Sequence, residues 1–290
     1  MVSESANGGM GGKVVLITGG TSGIGRAAAT ALAAMGAEVV VTGRDRDRGE
    51  AAVEEIRRDS GNESVSLVLA DLSVQAEVRG LAEEFRERHD RLDVLVNNAG
   101  LVQSRRVETP DGLELTLAVN HLAPFLLTDL LLDLLKKSVP SRVITVSSEA
   151  RRGASIDFDD LQSERRYRGF PAYGMTKKAN ILFTYALAER LEGTGVVANC
   201  LHPGAVSTNF AQNNSGPIAL LFRLLKPFMR SPEQGADTLI YLASSPEAGE
   251  LNGKNLTDRK EVSPAEPRDE TAQKRLWEVS EELTNLKVAS

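Results

Sequence analysis

Short apolar runs alternate with amphipathic stretches along the chain from Lys13 onward. The runs are apolar at nearly every position, which is typical of parallel strands covered by helices on both faces. Their alternation with helical patterns indicates an α/β fold with a doubly wound, Rossmann-type parallel sheet and right-handed crossovers. The predicted strands are residues 14–18, 39–42, 65–69, 94–97, 142–147 and 196–201. The predicted helices are residues 25–35, 46–58, 75–88, 111–137 and 172–191.

The sequence contains no proline-rich linker and no internal repeat, so a single domain over residues 13–290 is predicted. Residues 1–12 are rich in glycine and serine and are expected to form a flexible tail. The helical pattern at residues 270–286 carries apolar residues that include Leu276 and Trp277. It predicts a helix that packs back on the domain, and a helix that binds a partner is the alternative.

Composition and charge exclude several classes of protein. A formal net charge of −6 and a pI of about 5.3 give nucleic acid no general electrostatic attraction. Cys200 is the only cysteine in the sequence, which excludes an internal disulfide and favours a reducing, cytoplasmic location. The densest apolar stretch, residues 125–135, contains two aspartates, so no transmembrane segment is expected. Three scattered histidines do not indicate a metal site, and none is expected.

The first predicted strand leads into a glycine-rich turn at residues 18–25, which read Thr-Gly-Gly-Thr-Ser-Gly-Ile-Gly. Glycine allows a tight turn and a close approach of the backbone to a pyrophosphate. The N–H groups and the dipole at the start of the following helix favour the same anion. Because the turn lies between a strand and a helix, it predicts a dinucleotide site rather than a plain glycine turn. The residues assigned to this site are Gly19, Thr21, Ser22, Gly23, Ile24 and Gly25.

The choice of cofactor depends on the residues at the end of the second predicted strand, which are Arg44 and Asp45. A carboxylate at this place accepts a hydrogen bond from the ribose of NAD, whereas a cation binds the 2′-phosphate of NADP. Arg44 can bind phosphate with two parallel hydrogen bonds, which favours NADP(H). Asp45 lies 20 residues after Gly25, near the distance expected of a ribose-binding acid, and is the argument for NAD(H).

Tyr173 and Lys177 are four residues apart in a predicted helix and therefore share one face. Reduction of a carbonyl needs a hydride at carbon and a proton at oxygen, and oxidation of an alcohol reverses both steps. A phenol with a pKa of ~10 is a poor base at neutral pH, and a nearby ammonium group can lower that pKa by about 1–3 units. The pair therefore predicts a general acid/base, although such a pair also arises easily by chance.

Together these motifs resemble the short-chain dehydrogenase/reductase family. Residues 18–25 are similar to its Thr-Gly-x-x-x-Gly-x-Gly fingerprint, residues 97–100 (Asn-Asn-Ala-Gly) to its second signature, and Tyr173 with Lys177 to its Tyr-x-x-x-Lys pair. The resemblance implies that Tyr173 moves the proton and that Lys177 tunes it and binds the nicotinamide ribose. It also implies further cofactor contacts at Asp71, Leu72, Asn98, Ala99, Gly100, Pro203, Gly204, Val206 and Thr208.

The same resemblance assigns two more catalytic residues. A serine after the fifth strand polarises the substrate oxygen in this family, and Ser148 lies at the family's usual interval after Asn120. Its neighbour Ser147 is the alternative, and only one of the two can serve because successive side chains of a strand point to opposite faces. Asn120 is expected to hold a water that links Lys177 to solvent. A structural cap or kink residue is the alternative for Asn120.

Several segments resemble the retinol dehydrogenase-like branch of that family, which commonly prefers NADP. They are the long interval between Ser148 and Tyr173 and the residues 180–184 and 275–278. Two departures are the charged residues 149–152 and the N-terminal hydrophobic anchor of membrane-bound members, which is not expected here. The resemblance implies an NADP(H)-dependent oxidoreductase that interconverts an alcohol and an aldehyde or ketone of a hydrophobic substrate.

Residues 209–230 follow the predicted nicotinamide contact and combine a polar part with an apolar part. We expect them to form an apolar lid or pocket wall that selects the substrate. The alternative is an amphipathic helix in a homo-oligomer contact or at a membrane surface. The main alternative function is a non-catalytic NADP(H)-binding redox sensor or scaffold, which should have lost part of the set Asn120, Ser148, Tyr173 and Lys177.

Overall fold

The computed structural model describes residues 9–206, 229–262 and 268–286 of the chain. These residues form an eight-stranded sheet whose strands are β1 (Val14–Ile17), β2 (Glu38–Gly43), β3 (Val65–Leu69), β4 (Val94–Asn97), β5 (Ser141–Val146), β6 (Val196–Leu201), β7 (Asn255–Thr257) and β8 (Lys260–Glu261). The strand order is β3-β2-β1-β4-β5-β6-β7-β8, and neighbours are parallel except for the antiparallel β7–β8 hairpin. The order reverses between β1 and β4, so the predicted doubly wound α/β fold is confirmed.

Helices cover both faces of the sheet. They are α1 (Gly23–Ala34), α2 (Arg46–Ser60), α3 (Gln75–Arg88), α4 (Leu115–Leu117), α5 (Ala123–Leu130), α6 (Leu132–Lys137), α7 (Gly169–Arg190), α8 (Pro232–Ser244) and α9 (Glu270–Leu283). A π-helical segment (Ala118–Leu122) joins α4 to α5, and a 3-10 turn (Glu149–Arg151) follows β5. Helices α1 and α8 pack on one face, and α3, α5 and α7 pack on the other. None of the described helices is both long and apolar enough to cross a membrane.

Alternate side chains of the central strands enter two separate apolar cores. Leu16 of β1 packs with α3, α5 and α7, whereas Val15 and Ile17 pack with α1 and α8. All three side chains are fully buried, and burial of one aliphatic side chain stabilises a fold by about 1.5–3 kcal/mol. Because both faces need apolar residues, the continuous apolar runs predicted six strands to within one residue at each end.

The prediction of one helix over residues 111–137 is wrong. The structure divides this stretch into α4, the π-helical segment, α5 and α6. Pro124 has no N–H group, so it cannot donate to the carbonyl of Asn120 four residues earlier, and the α-helical ladder is interrupted there. The N–H of Ala123 donates instead to the carbonyl of Ala118, five residues earlier.

Helix α8 and strands β7 and β8 have no counterpart among the predicted elements. Helix α8 begins with a capping box in which the side chains of Ser231 and Gln234 each accept the other's backbone N–H, and Pro232 lies in its first turn. This local pattern is a signal that could have predicted the helix. Strands β7 and β8 are three and two residues long, so their existence depends on the pairing of β7 with β6 and of β8 with β7 rather than on a pattern of their own.

The C-terminal helix α9 spans Glu270–Leu283, close to the predicted residues 270–286. It packs against α7 and α5 through Trp277. The Trp277 ring stacks on Phe183 with centroids 5.9 Å apart and meets Phe125 edge-on at 4.9 Å. Trp277 therefore joins α9 to two helices that also pack against the sheet.

Replacing Trp277 by alanine is expected to lower the free energy of unfolding by about 3 kcal/mol, the lower end for loss of a large aromatic side chain. The variant loses the stacking on Phe183 and the contact of the Arg190 guanidinium, which lies 3.8 Å from the Trp277 ring centroid. Denaturant unfolding followed by circular dichroism measures the change. Lys274→Ala, at an exposed position of the same helix, is the matched control and should cost less than about 0.5 kcal/mol. Equal stability of the two variants would contradict this role of Trp277.

Candidate active site

A cleft of about 710 Å³ runs along the carboxyl ends of the parallel strands, where the strand order reverses between β1 and β4. Doubly wound sheets bind their ligands at this place. Among the residues that the sequence assigned to a site, Asn120 lies outside the lining of the cleft and Thr208 lies outside the described residues. The others all line it: Gly19, Thr21, Ser22, Gly23, Ile24, Gly25, Arg44, Asp71, Leu72, Asn98, Ala99, Gly100, Ser148, Tyr173, Lys177, Pro203, Gly204 and Val206.

The glycine-rich turn between β1 and α1 is shaped for close contact with a ligand. Gly19 and Gly23 have positive φ angles of 64° and 54°, which residues with a side chain rarely adopt. A Cβ atom at Gly25 would lie 2.4 Å from the carbonyl oxygen of Gly19, so a larger residue would force the turn to move. Asn98 fixes the turn from the end of β4, because its Nδ2 donates to the carbonyls of Thr18 at 2.9 Å and Gly19 at 3.2 Å.

The N-terminus of α1 meets this turn without a side-chain cap. Ser22 occupies the N-cap position and makes no side-chain hydrogen bond to the helix, and the first helical turn contains no acidic residue. The N–H groups and the positive end of the helix dipole are therefore free to face an anion such as a pyrophosphate. The residues at this end of the cleft fit a dinucleotide cofactor.

Arg44 and Asp45 follow β2, and both line the cleft. The carboxylate of Asp45 caps α2, where its Oδ1 accepts the backbone N–H of Arg48 at 3.0 Å. Arg44 is exposed and forms no ion pair with any other described residue. The arrangement gives Asp45 a structural partner within the protein and leaves the guanidinium of Arg44 for a ligand.

Tyr173, Lys177 and Ser148 meet where β5 ends beside the first half of α7. Tyr173 is 9% exposed and hydrogen-bonds to Ser148. The Lys177 ammonium group lies 5.6 Å from the centroid of the Tyr173 ring and donates to the carbonyl of Val146 at 2.8 Å. A phenol, a hydroxyl and an ammonium group therefore share one end of the cleft.

The pKa of Tyr173 differs from the sequence-based expectation. Burial raises this pKa to about 12, and the hydrogen bond with Ser148 opposes the shift. Burial also lowers the pKa of Lys177 to about 8. The expected lowering of the Tyr173 pKa by Lys177 is not seen, and desolvation, which disfavours the phenolate, raises the pKa instead. Tyr173 keeps its proton at neutral pH and is suited to donate it.

The two adjacent serines have different partners. Ser147 is buried, and its Oγ donates to the carbonyl of Lys177 at 2.7 Å, so it supports α7 from the sheet. Ser148 follows β5, and its Oγ accepts the N–H of Ala150 at 3.2 Å and bonds to Tyr173. The side chain of Ser148 thus lies next to the phenol, whereas that of Ser147 is engaged with the backbone of α7.

Asn120 is fully buried in the π-helical segment, and protein groups satisfy its side chain. Its Oδ1 accepts the N–H of Leu101 at 2.8 Å, and its Nδ2 donates to the carbonyl of Leu101 at 2.9 Å and to Thr176 Oγ1 at 3.1 Å. Asn120 therefore ties the loop after β4 to α7, which is the structural kind of role considered as the alternative. A water held by Asn120 stays a prediction.

The cleft has an apolar wall that the sequence analysis did not identify. Phe170 is 53% exposed, and its ring centroid lies 6.3 Å from that of Tyr173. Because the two residues are three positions apart on α7, helical spacing was a signal that could have found Phe170. The predicted lid, residues 209–230, is described only at its last two residues. Further apolar lining residues come from separate segments and include Leu101, Val102, Val119 and Met229.

Comparison with known proteins places the chain among dehydrogenases. A family model described as short chain dehydrogenase matches residues 13–217. Human retinol dehydrogenase 14 is 44% identical over 96% of this chain and 88% of its own length, and human retinol dehydrogenase 12 is 45% identical over 95% and 87%. The crystal structure of a short chain dehydrogenase from Burkholderia cenocepacia J2315 in complex with NADP is 28% identical, with a TM-score of 0.68 over 86% of this chain and 96% of that chain.

These matches agree with the geometry of the cleft. The family match includes the glycine-rich turn and the residues that meet at the end of β5, and it covers more than half of the chain. The similarity to retinol dehydrogenases extends over nearly the whole chain, so the resemblance to that branch is confirmed. The chain belongs to the short-chain dehydrogenase family.

Proposed function

We propose that this protein is an NADP(H)-dependent oxidoreductase that interconverts an alcohol and a carbonyl of a bulky apolar substrate. The observation that carries the proposal is the placement of Tyr173, Ser148 and Lys177 in the same cleft as the glycine-rich turn and Arg44. Membership of the short-chain dehydrogenase family agrees with this chemistry. When bound, the nicotinamide cofactor supplies or accepts the hydride.

Arg44 supports NADP(H) over NAD(H). Its guanidinium lines the cleft without a carboxylate partner among the described residues, and a planar guanidinium binds phosphate with two hydrogen bonds. Asp45 caps α2 and is therefore less suited to bind a ribose hydroxyl. The similar protein from Burkholderia cenocepacia J2315 is in complex with NADP.

Tyr173 is the group that handles the proton. Because its pKa is raised to about 12, the phenol is protonated at neutral pH, and it donates this proton to the carbonyl oxygen during reduction and regains it from solvent. Ser148 donates a hydrogen bond to the same oxygen and stabilises the negative charge that develops there. Lys177, with a pKa of about 8, remains mostly protonated at neutral pH and favours the charged form of Tyr173 in the transition state.

The apolar wall supports a bulky apolar substrate. Leu101, Val119 and Phe170 line the same cleft as Tyr173 and offer no hydrogen-bonding side chain. Such surfaces contribute affinity in proportion to the apolar area that a ligand covers. The relatives of highest similarity given above are retinol dehydrogenases, and retinol is a long apolar alcohol. A retinoid or a similarly apolar aldehyde, ketone or alcohol is the substrate class that we infer.

Replacing Arg44 by alanine is expected to raise the dissociation constant of NADPH by about 10- to 100-fold, because a charge-assisted contact to the 2′-phosphate is lost. The dissociation constant of NADH, which lacks this phosphate, should change less than about twofold. Titration followed by nicotinamide fluorescence measures both. Arg46→Ala is the matched control, since Arg46 pairs with Glu50 and does not line the cleft. Tighter binding of NADH than of NADPH by the unaltered protein would assign the ribose to Asp45 instead.

The variant Tyr173→Phe should lose about 10²- to 10⁴-fold in kcat for NADPH-dependent carbonyl reduction while its affinity for NADPH is retained, because only the phenolic proton is removed. Tyr167→Phe serves as the control. The Tyr167 hydroxyl bonds to Thr116 at 3.0 Å and lies outside the cleft, so its removal should leave kcat within about twofold. If the unaltered protein binds NADPH but no carbonyl is turned over faster than by Tyr173→Phe, the protein is a sensor or scaffold.

A bulky apolar aldehyde such as retinaldehyde should show a kcat/KM at least about tenfold above that of glyceraldehyde, which is small and hydrophilic. Burial of only two further methylene groups is sufficient for a difference of this size. Initial rates with NADPH measure both values. Phe170→Ala should reduce the ratio between the two kcat/KM values, since the Phe170 ring is the most exposed part of the apolar wall. Equal turnover of the two aldehydes would contradict the inferred substrate class.

A further inference from the structure

His202 and Glu149 connect the ends of two neighbouring strands beside Ser148. His202 directly follows β6, and Glu149 follows the serine at the end of β5. The backbone N–H of Glu149 donates to Nδ1 of His202 at 3.1 Å, and the carboxylate of Glu149 lies 3.3 Å from Nε2 of the same ring. Both residues line the cleft.

The end of the β5–β6 ladder explains this contact. The N–H of Ser147 donates to the carbonyl of Leu201 at 2.7 Å. The next bond of a parallel ladder requires an N–H at residue 203, but Pro203 has none. The ladder stops there, and the N–H of Glu149 needs another acceptor. The imidazole of His202 takes this place.

Ser148 is therefore held on both sides by bonds to the adjacent strand. Before it, the N–H of Ser147 bonds to Leu201, and after it, the N–H of Glu149 bonds to His202. Because Nδ1 accepts, the proton of the neutral ring lies on Nε2 and faces the carboxylate of Glu149. That carboxylate also pairs with Arg151 at 3.0 Å, which fixes its position.

We propose that His202 is a positioning residue for Ser148: its neutral ring accepts the N–H of Glu149 and so keeps the serine hydroxyl next to Tyr173. The proposal rests on the function proposed above, in which Ser148 bonds to the substrate oxygen. It also gives a role to the charged residues 149–152, which depart from the retinol dehydrogenase-like pattern.

Protonation of His202 removes the contact, because an imidazolium ring has no lone pair at Nδ1. Burial lowers the pKa of His202, Glu149 opposes this shift, and Arg151, Arg230 and Arg152 add to it. A positive charge on His202 lowers the pKa of Asp258, which lies in the turn between β7 and β8. The contact is thus intact at neutral pH and is lost when the pH falls below the usual range of histidine. Tyr173 and Lys177, with pKa values of about 12 and 8, stay protonated on this acidic side and do not produce the loss.

Two substitutions of His202 distinguish the effect of its hydrogen-bond acceptor from the effect of its protonation. His202→Leu fills similar space without an acceptor, whereas the Oδ1 of His202→Asn can accept the N–H of Glu149 and does not titrate. We expect kcat of NADPH-dependent reduction at neutral pH to fall about tenfold in His202→Leu and to return to within about threefold in His202→Asn. As the pH falls below about 6.5, the ordinary pKa of histidine, the unaltered enzyme should lose activity, and His202→Asn should not.

Glu149→Gln tests in which direction the acidic loss of activity shifts when the pKa of His202 changes. It keeps the backbone N–H and removes the charge that raises the pKa of His202, so the acidic loss should move to lower pH. The dissociation constant of NADPH should stay within about twofold in all three variants, which excludes a general disturbance of the cleft. An acidic loss in His202→Asn identical to that of the unaltered enzyme, or an unchanged kcat in His202→Leu, would overturn the proposal.

Hydrogen–deuterium exchange of the peptide that contains Glu149 tests the contact without relying on activity. The amide of Glu149 should exchange faster in His202→Leu than in the unaltered protein, and His202→Asn should restore its protection. If no carbonyl is reduced by the unaltered protein, the proposed function fails, yet this exchange pattern still decides whether His202 holds the backbone. Exchange that is the same in all variants would contradict the contact itself.

Discussion

The side chain of Lys177 ends in an ammonium group, yet the residue is only 3% exposed. This burial constrains the backbone around it. A buried ammonium group is costly unless it is hydrogen-bonded, and the carbonyl of Val146 at the end of β5 supplies the bond. Ser147 adds a second bond in the opposite direction, from its hydroxyl to the carbonyl of Lys177. The two bonds fix α7 against β5. They bring Tyr173, one helical turn before Lys177, to Ser148 at the end of the strand.

The other strand ends are completed in the same manner, by polar side chains that accept or donate where a ladder stops. Asn98 bonds to two carbonyls of the glycine-rich turn, Asn120 bonds to both backbone groups of Leu101, and His202 accepts the N–H of Glu149. Many of the polar residues around the cleft therefore satisfy backbone groups first. These bonds attach the described loops of the site to one another.

The sequence was most informative where one local pattern had one structural cause. Apolar runs such as that of β1 defined strands because both faces of the sheet are covered, and the glycine-rich turn lies where its spacing indicated. Prediction failed where the cause lies in three dimensions. The interruption near Pro124 is hidden in a stretch that is apolar throughout, and the raised pKa of Tyr173 depends on residues that surround it from several elements. His202 meets Glu149 only because β5 and β6 are neighbours in the sheet.

One physical cause links the acid/base group to the apolar wall of the cleft. The side chains of Val119 and Phe170, which support the proposed apolar substrate, lie in the same cleft as Tyr173, whose removal from water raises its pKa. A phenol in this state stays protonated at neutral pH, as the proton donor in a carbonyl reduction must be. In the proposed oxidation of an alcohol, Tyr173 would act as the phenolate, which Lys177 and the positive charge of an oxidised nicotinamide would stabilise. The proposed choice of an apolar substrate and the protonation of Tyr173 at neutral pH thus both follow from a cleft that shields its lining from water.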